Sequence, residues 1–148
     1  MNLLITILAL LFINPLTTVE ETSSTQEVVE IVIESNDQMK FNMSEITVPA
    51  GATVKLTLKH VGQLPAAAMG HNWVLLSPGT EMGVFAQAAV QARDNAYIPA
   101  EGFIVHTDLI GGGEETTIEF EAPEAGEYTF ICSFPGHYAL MNGKFIVE

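Results

Sequence analysis

The stretch Cys132-Ser133-Phe134-Pro135-Gly136-His137-Tyr138-Ala139-Leu140-Met141 places a thiol, an imidazole and a thioether close together, at the spacing Cys-x4-His-x3-Met. It follows Glu127-Tyr128-Thr129-Phe130-Ile131, a run rich in aromatic and β-branched residues that reads as a strand. Pro135-Gly136 is turn chemistry, so the loop can bring His137 and Met141 back toward Cys132. An earlier segment, Met69-Gly70-His71-Asn72-Trp73, supplies a second imidazole. Two imidazole nitrogens and a thiolate in one plane, with a distant thioether on the axis, are the donor set of a type 1 copper site. Soft sulfur favours Cu(I) and imidazole also suits Cu(II), so such a set suits one-electron transfer. Alone, Cys132 would read as an inert core cysteine and Met141 as core packing. Their spacing with His137, and His71 upstream, argue for the metal.

Working outward, the flanking sequence reads as short strands. These are Val28–Glu34, Glu45–Val48, Thr53–His60, Asn72–Leu76, Phe103–Leu109, Thr116–Glu121, Glu127–Phe134 and Lys144–Val147. Thr53–His60 alternates, with Val54, Leu56 and Leu58 on one face and Lys55, Thr57 and Lys59 on the other. Short strands separated by Gly/Pro turns predict an all-β fold, a Greek-key antiparallel β-sandwich or barrel. One short helical insertion is expected at about 78–100, where Met82, Phe85, Ala86 and Ala89 fall at helical spacing. Trp73 reads as core packing and not as a redox relay.

Composition narrows the function classes. The 148 residues hold 5 Lys+Arg and 18 Asp+Glu, a formal charge of −13. That excludes a nucleic-acid binder, which needs clustered cations, and disfavours docking on an anionic membrane. The single cysteine excludes an intramolecular disulfide, a zinc finger or an iron–sulfur cluster. Residues 1–17 contain an apolar run, Leu3–Ile13, shorter than the ~20 residues that span a bilayer and broken by Asn14-Pro15. They read as a signal peptide, with retention as an N-terminal anchor the alternative; cleavage would fall between Thr17 and about Ser24. Residues 18–27 read as a flexible acidic linker, and 28–148 as one domain. That domain is expected to work in the periplasm or elsewhere outside the cytoplasm. Asn42-Met43-Ser44 matches a glycosylation sequon.

Four blocks carry a resemblance: Asn36-Asp37-Gln38-Met39-Lys40-Phe41-Asn42, Met69 to Leu75, His106-Thr107-Asp108-Leu109-Ile110-Gly111, and Cys132 to Met141. Together they resemble the azurins, bacterial blue copper proteins of the cupredoxin fold, over essentially all of 28–148. The resemblance implies one type 1 copper with His71, Cys132 and His137 as equatorial ligands and Met141 as the weak axial one. It places the Gly70 carbonyl on the opposite axis, and the backbone N–H groups of Asn72 and Phe134 on the Cys132 sulfur. It implies that His60 is buried beside the site and His106 lies at the surface. It further implies an apolar patch around His137, made of Met39, Leu64, Met69, Phe134, Pro135 and Ala139. That patch would meet redox proteins such as c-type cytochromes.

The expected function is a blue copper electron-transfer protein and not an enzyme. No His-x-His ligands for a substrate-binding metal occur, and no substrate pocket is expected. The alternative is a copper storage or delivery protein using the same ligands. Two features depart from the family. The disulfide that ties the first azurin strand to a nearby turn has no counterpart, since Val28, Val29 and Ala52 stand in those regions. The domain also keeps 15 acids and all 5 bases, 5 − 15 = −10, which favours a partner with a basic surface.

Overall fold

The computed structural model describes residues 27–148. The signal-peptide or anchor segment at 1–17, and the acidic linker up to residue 26, lie outside the described residues. The elements are β1 (Val28–Asn36), β2 (Lys40–Phe41), β3 (Glu45–Val48), β4 (Thr53–His60), α1 (Ala66–Met69), β5 (Val74–Leu76), α2 (Met82–Gln91), β6 (Phe103–His106), β7 (Glu115–Glu121), β8 (Gly126–Ile131) and β9 (Asn142–Val147). A single 3-10 turn, Arg93–Asn95, follows α2.

Two sheets form, in the orders β2-β1-β4-β7 and β3-β9-β8-β5-β6. The alternation read in β4 is realised: Val54, Leu56 and Leu58 are fully buried. They meet Trp73, Leu75, Phe130 and Phe145 from the other sheet, so the core lies between the two inner faces. Trp73 is buried among Phe120, Phe130 and Phe145, as expected for core packing. The helical insertion is α2 with its 3-10 turn. It buries Phe85, Ala86 and Ala89, and Phe85 joins a second small core with Val74, Leu76, Ile98 and Ile131.

The sheets are mixed and not wholly antiparallel. β1 runs parallel to β4 from Val28↔Thr53 to Ser35↔His60, and β3 runs parallel to β9. A parallel pair needs a long crossover. Residues 37–52 provide one, passing through β2 and then through β3 in the opposite sheet. The parallel ladder ties β1 along most of its length, in the region where the azurin disulfide has no counterpart here. Three strands are shorter than their sequence predicts. β5 begins at Val74 instead of Asn72, β6 ends at His106 instead of Leu109, and β8 ends at Ile131 instead of Phe134. At each of these ends a side chain replaces the ladder: Thr107 Oγ1 accepts from the Trp73 amide, and Asn72 bonds Ser133. Polar side chains that outcompete the ladder end a strand whose residues otherwise favour it.

Candidate metal centre

β8 ends at Ile131, and Cys132 is the first residue past it. The Cys132 amide still donates to the Met141 carbonyl at 2.9 Å, which closes the loop at its base. Within the loop His137 N–H donates to Phe134 O, and the Leu140 and Met141 amides donate to His137 O. Gly136 takes φ +83°, a left-handed conformation that glycine reaches without strain and that reverses the chain ahead of His137. His71 comes from the other direction, held by a two-way bridge with Ile110. Gly70 allows its backbone to approach. A Cβ there would lie 2.6 Å from the Ala66 carbonyl oxygen and 3.0 Å from Phe134.

These segments bring His71, Cys132 and His137 together, all buried, with one donor atom from each within 4.8 Å of the others. Cys132 Sγ lies 3.8 Å from His71 Nδ1 and 3.7 Å from His137 Nδ1. A metal in the plane of these donors, with bonds of about 2.3 Å to sulfur and about 2.1 Å to nitrogen, would separate sulfur and nitrogen by about 3.8 Å. The donor set therefore fits a single metal ion. Gly70 O lies 4.0 Å from the sulfur, and Met141 is fully buried at the end of the same loop.

The surrounding contacts fix the ligand rings. His71 Nε2 is 2.9 Å from the Asn36 carbonyl, which can only accept; Nε2 therefore carries the proton and Nδ1 is free for a metal. Burial is the largest influence on both histidines and pulls each pKa down to about 4, so both rings are neutral near pH 7. Burial pushes the Cys132 thiol up to about 11, while the backbone N–H groups of Asn72 and Phe134 pull it down.

His60 is buried beside the site, as expected, with its ring 4.5 Å from that of His71. Its Nδ1 accepts from the Gly62 amide, so Nε2 donates to Met69 O. Asp37, whose carboxyl is held below its usual range chiefly by the Gln63 N–H, sits 3.8 Å from that nitrogen. His106 is half-buried, with part of its side chain at the surface. Its ring packs against Phe103 and its Nδ1 bonds the Thr107 carbonyl. Of the apolar patch, Leu64 and Ala139 are exposed and Met39, Met69, Phe134 and Pro135 half-buried. Leu140 and Val61 add exposed apolar surface that the sequence reading did not name. His137 itself keeps only 3% of its surface exposed.

Sequence reasoning missed two residues. The Asn36 carbonyl orients His71 from 35 positions away, and the Tyr97 carbonyl accepts from Ser133 Oγ at 2.7 Å. Neither is a side-chain donor, so no motif marks them; only the Asn36-Asp37 turn was visible.

Compared with known proteins, residues 27–148 match the family described as "Copper binding proteins, plastocyanin/azurin family". The chain belongs to this family. Among its relatives are azurin of Alcaligenes faecalis, 40% identical over 120 residues, covering 77% of this chain and 94% of that one. Outer membrane protein H.8 of Neisseria meningitidis serogroup B is 45% identical over 117 residues, covering 76% of this chain. The chain spans 63% of that relative's length. Auracyanin A, a "blue" copper protein from Chloroflexus aurantiacus, superposes with a TM-score of 0.75 at 36% identity, covering 82% of this chain and 99% of that one. The plastocyanin/azurin assignment accounts for the mixed β-sandwich and for the cluster of His71, Cys132 and His137.

Proposed function

We propose that this chain is an electron carrier that cycles one type 1 copper, with His71 Nδ1, Cys132 Sγ and His137 Nδ1 as the strong ligands. Met141 and the Gly70 carbonyl would hold the ion more weakly. The observation that carries this reading is the pair of sulfur–nitrogen separations, 3.8 and 3.7 Å, among three buried donors. When bound, copper supplies the Cu(II)/Cu(I) couple. The chain holds its donors in one arrangement for both states. The Asn36 carbonyl orients one ring, the Cys132–Met141 backbone bond closes the loop, and the buried setting keeps water from the sulfur. Ligands this enclosed favour a carrier over a storage or delivery protein, which must hand its metal on. Such a carrier passes an electron without converting a substrate and would not be an enzyme.

Electrons would pass at the edge of His137, through the apolar patch of Met39, Leu64, Met69, Phe134, Pro135 and Ala139. Small patches suit brief redox encounters. The partner would be a redox protein with a basic surface, such as a c-type cytochrome, drawn by the −10 charge of the domain. Residues 1–17 would direct the domain out of the cytoplasm or anchor it, with 18–27 as the linker, and the relative named outer membrane protein H.8 supports this extracytoplasmic setting.

Copper titration of the metal-free protein tests the assignment. We expect an intense blue absorption that saturates at one copper per chain, bleaches on reduction, and is absent in Cys132→Ser. A colourless complex, or a blue one in the Ser variant, overturns it.

A further inference from the structure

In the helical insertion, Tyr97 reaches the metal loop. Its carbonyl accepts from Ser133 Oγ at 2.7 Å, and Ser133 is the residue next to Cys132. Its ring packs edge-on against Phe134, with centroids 5.1 Å apart, and Phe134 in turn lies 4.7 Å from the His137 ring. Tyr97 thus touches both arms of the loop, the thiol side through a hydrogen bond and the imidazole side through two rings.

The backbone there is strained. Ala96 has φ +51° and Tyr97 φ +63°, two consecutive non-glycine residues in the left-handed region. Such residues persist only where their surroundings over-determine them. The anchors are visible: Tyr97 N–H donates to Ala92 O, Ile98 N–H donates to Asn95 O, and Asn95 Nδ2 donates to Ile98 O. Ile98 itself is buried in the second core with Phe85 of α2 and Ile131 of β8. The far side of the contact is equally fixed, because Ser133 N–H donates to Asn72 Oδ1 and Ser133 Oγ accepts from Asn72 Nδ2. The Ser133 hydroxyl therefore joins the Asn72 segment, the ligand loop and the insertion at one buried atom.

We propose that Tyr97 is a positioning residue for the metal centre: the insertion uses its carbonyl on Ser133 and its ring on Phe134 to set the Cys132 and His137 donors. This deepens the copper reading and rests on it. In this view α2 and its 3-10 turn serve as a brace for the ligand loop, beyond closing the end of the sandwich.

Ser133→Ala removes the hydroxyl and with it both the bond to the Tyr97 carbonyl and the bond from Asn72 Nδ2, while the Ser133 amide still donates to Asn72 Oδ1. We expect the copper affinity to fall by about tenfold, the lower edge for partners one step removed from metal ligands. The blue absorption should also change in position or relative intensity. Ser133→Thr keeps a hydroxyl and should restore both. Tyr97→Ala keeps the carbonyl but loses the ring; it should change the spectrum while circular dichroism stays that of the parent. In the metal-free protein, alkylation of the buried Cys132 thiol should run several-fold faster in Ser133→Ala than in the parent and return to the parental rate in Ser133→Thr. Parental affinity, spectrum and alkylation rate in Ser133→Ala, or no recovery in Ser133→Thr, overturns the brace. An unchanged spectrum in Tyr97→Ala overturns its ring arm. If the parent takes up no copper, the function proposed above fails, and the alkylation rates still decide whether Tyr97 positions the loop.

Discussion

Protons follow the metal at the residue scale. Near pH 7 both site imidazoles are neutral, with pKa about 4, and the Cys132 thiol is protonated, with pKa about 11. Copper needs the thiolate and two bare Nδ1 atoms. Binding between about pH 5 and pH 9 should therefore release about one proton per copper, from Cys132 alone. Calorimetry in two buffers of different ionisation enthalpy measures it, and a release of two or three would mean charged rings in the metal-free protein. The same shifts set the acid limit of the metal-free fold. An unfolded histidine titrates at 6.5 and these folded ones at about 4, so between those values the unfolded chain binds more protons. The stabilisation is present above pH 6.5 and is lost as pH falls toward 4. Thermal melts of the metal-free protein should drop across that window, and the copper-loaded protein should resist the drop. Much of the site was legible at this scale, because Cys132, His137 and Met141 lie on one local loop. His71 was legible as a candidate, but its orientation was not, since the Asn36 carbonyl that fixes it is a backbone group on another strand. The packing of His106 against Phe103 was not legible either, since no spacing reveals that contact.

At the scale of elements, the alternating pattern of β4 identified its buried face without help from neighbours. Leu56 is fully buried on that face, whereas Val32, on the paired strand β1, faces outward and is largely exposed. Leu56→Ala should cost about 2–5 kcal/mol, and Val32→Ala no more than about 0.5 kcal/mol. Denaturant unfolding of the metal-free protein compares them; equal losses would mean that the two sheets do not pack as described. Strand direction was not legible in the same way. Alternation is identical for parallel and antiparallel neighbours, so the β1–β4 and β3–β9 pairings emerge only from the crossovers. Strand ends were overrun where Asn72, Thr107 and Ser133 turn the backbone out of its ladder, and these are the ends that build the metal centre. The two-residue β2 and the one-turn α1 were too short to carry any period.

Charge is distributed unevenly over the whole molecule. The segments 61–73 and 132–142, which frame the metal centre, contain no Asp, Glu, Lys or Arg. On the outer face of β1, β4 and β7, Lys55 pairs with Glu30 and Lys59 with Glu115, both exposed pairs of small energetic worth. Much of the net −10 of the domain lies on other segments, with Asp37 at the border of the patch, accepting from the Gln63 and Leu64 amides. It should act on encounter over the Debye length, about 8 Å at physiological salt, while the patch makes the contact. Electron transfer to a basic cytochrome should slow as salt rises from 10 to about 150 mM, and transfer to an acidic one should speed up. Stopped-flow mixing with the two kinds of cytochrome reads this directly. An identical response from both would remove charge from the account.

The directions of the first and last strands have a consequence for attachment. β1 runs from Val28 toward Asn36, which touches His71, so Val28 lies roughly 26 Å of extended strand from the metal end. β9 likewise starts beside Met141 and runs away from it. The turn at 49–53 meets both ends of the described domain: the Ala50 amide donates to Glu148 O and the Thr53 amide to Glu27 O. A tether leaving the domain at residue 27 or 148 would thus start from the pole opposite His137. A domain leashed to a surface by such a tether would hold its electron-exchanging face outward, unobstructed by whatever it is leashed to.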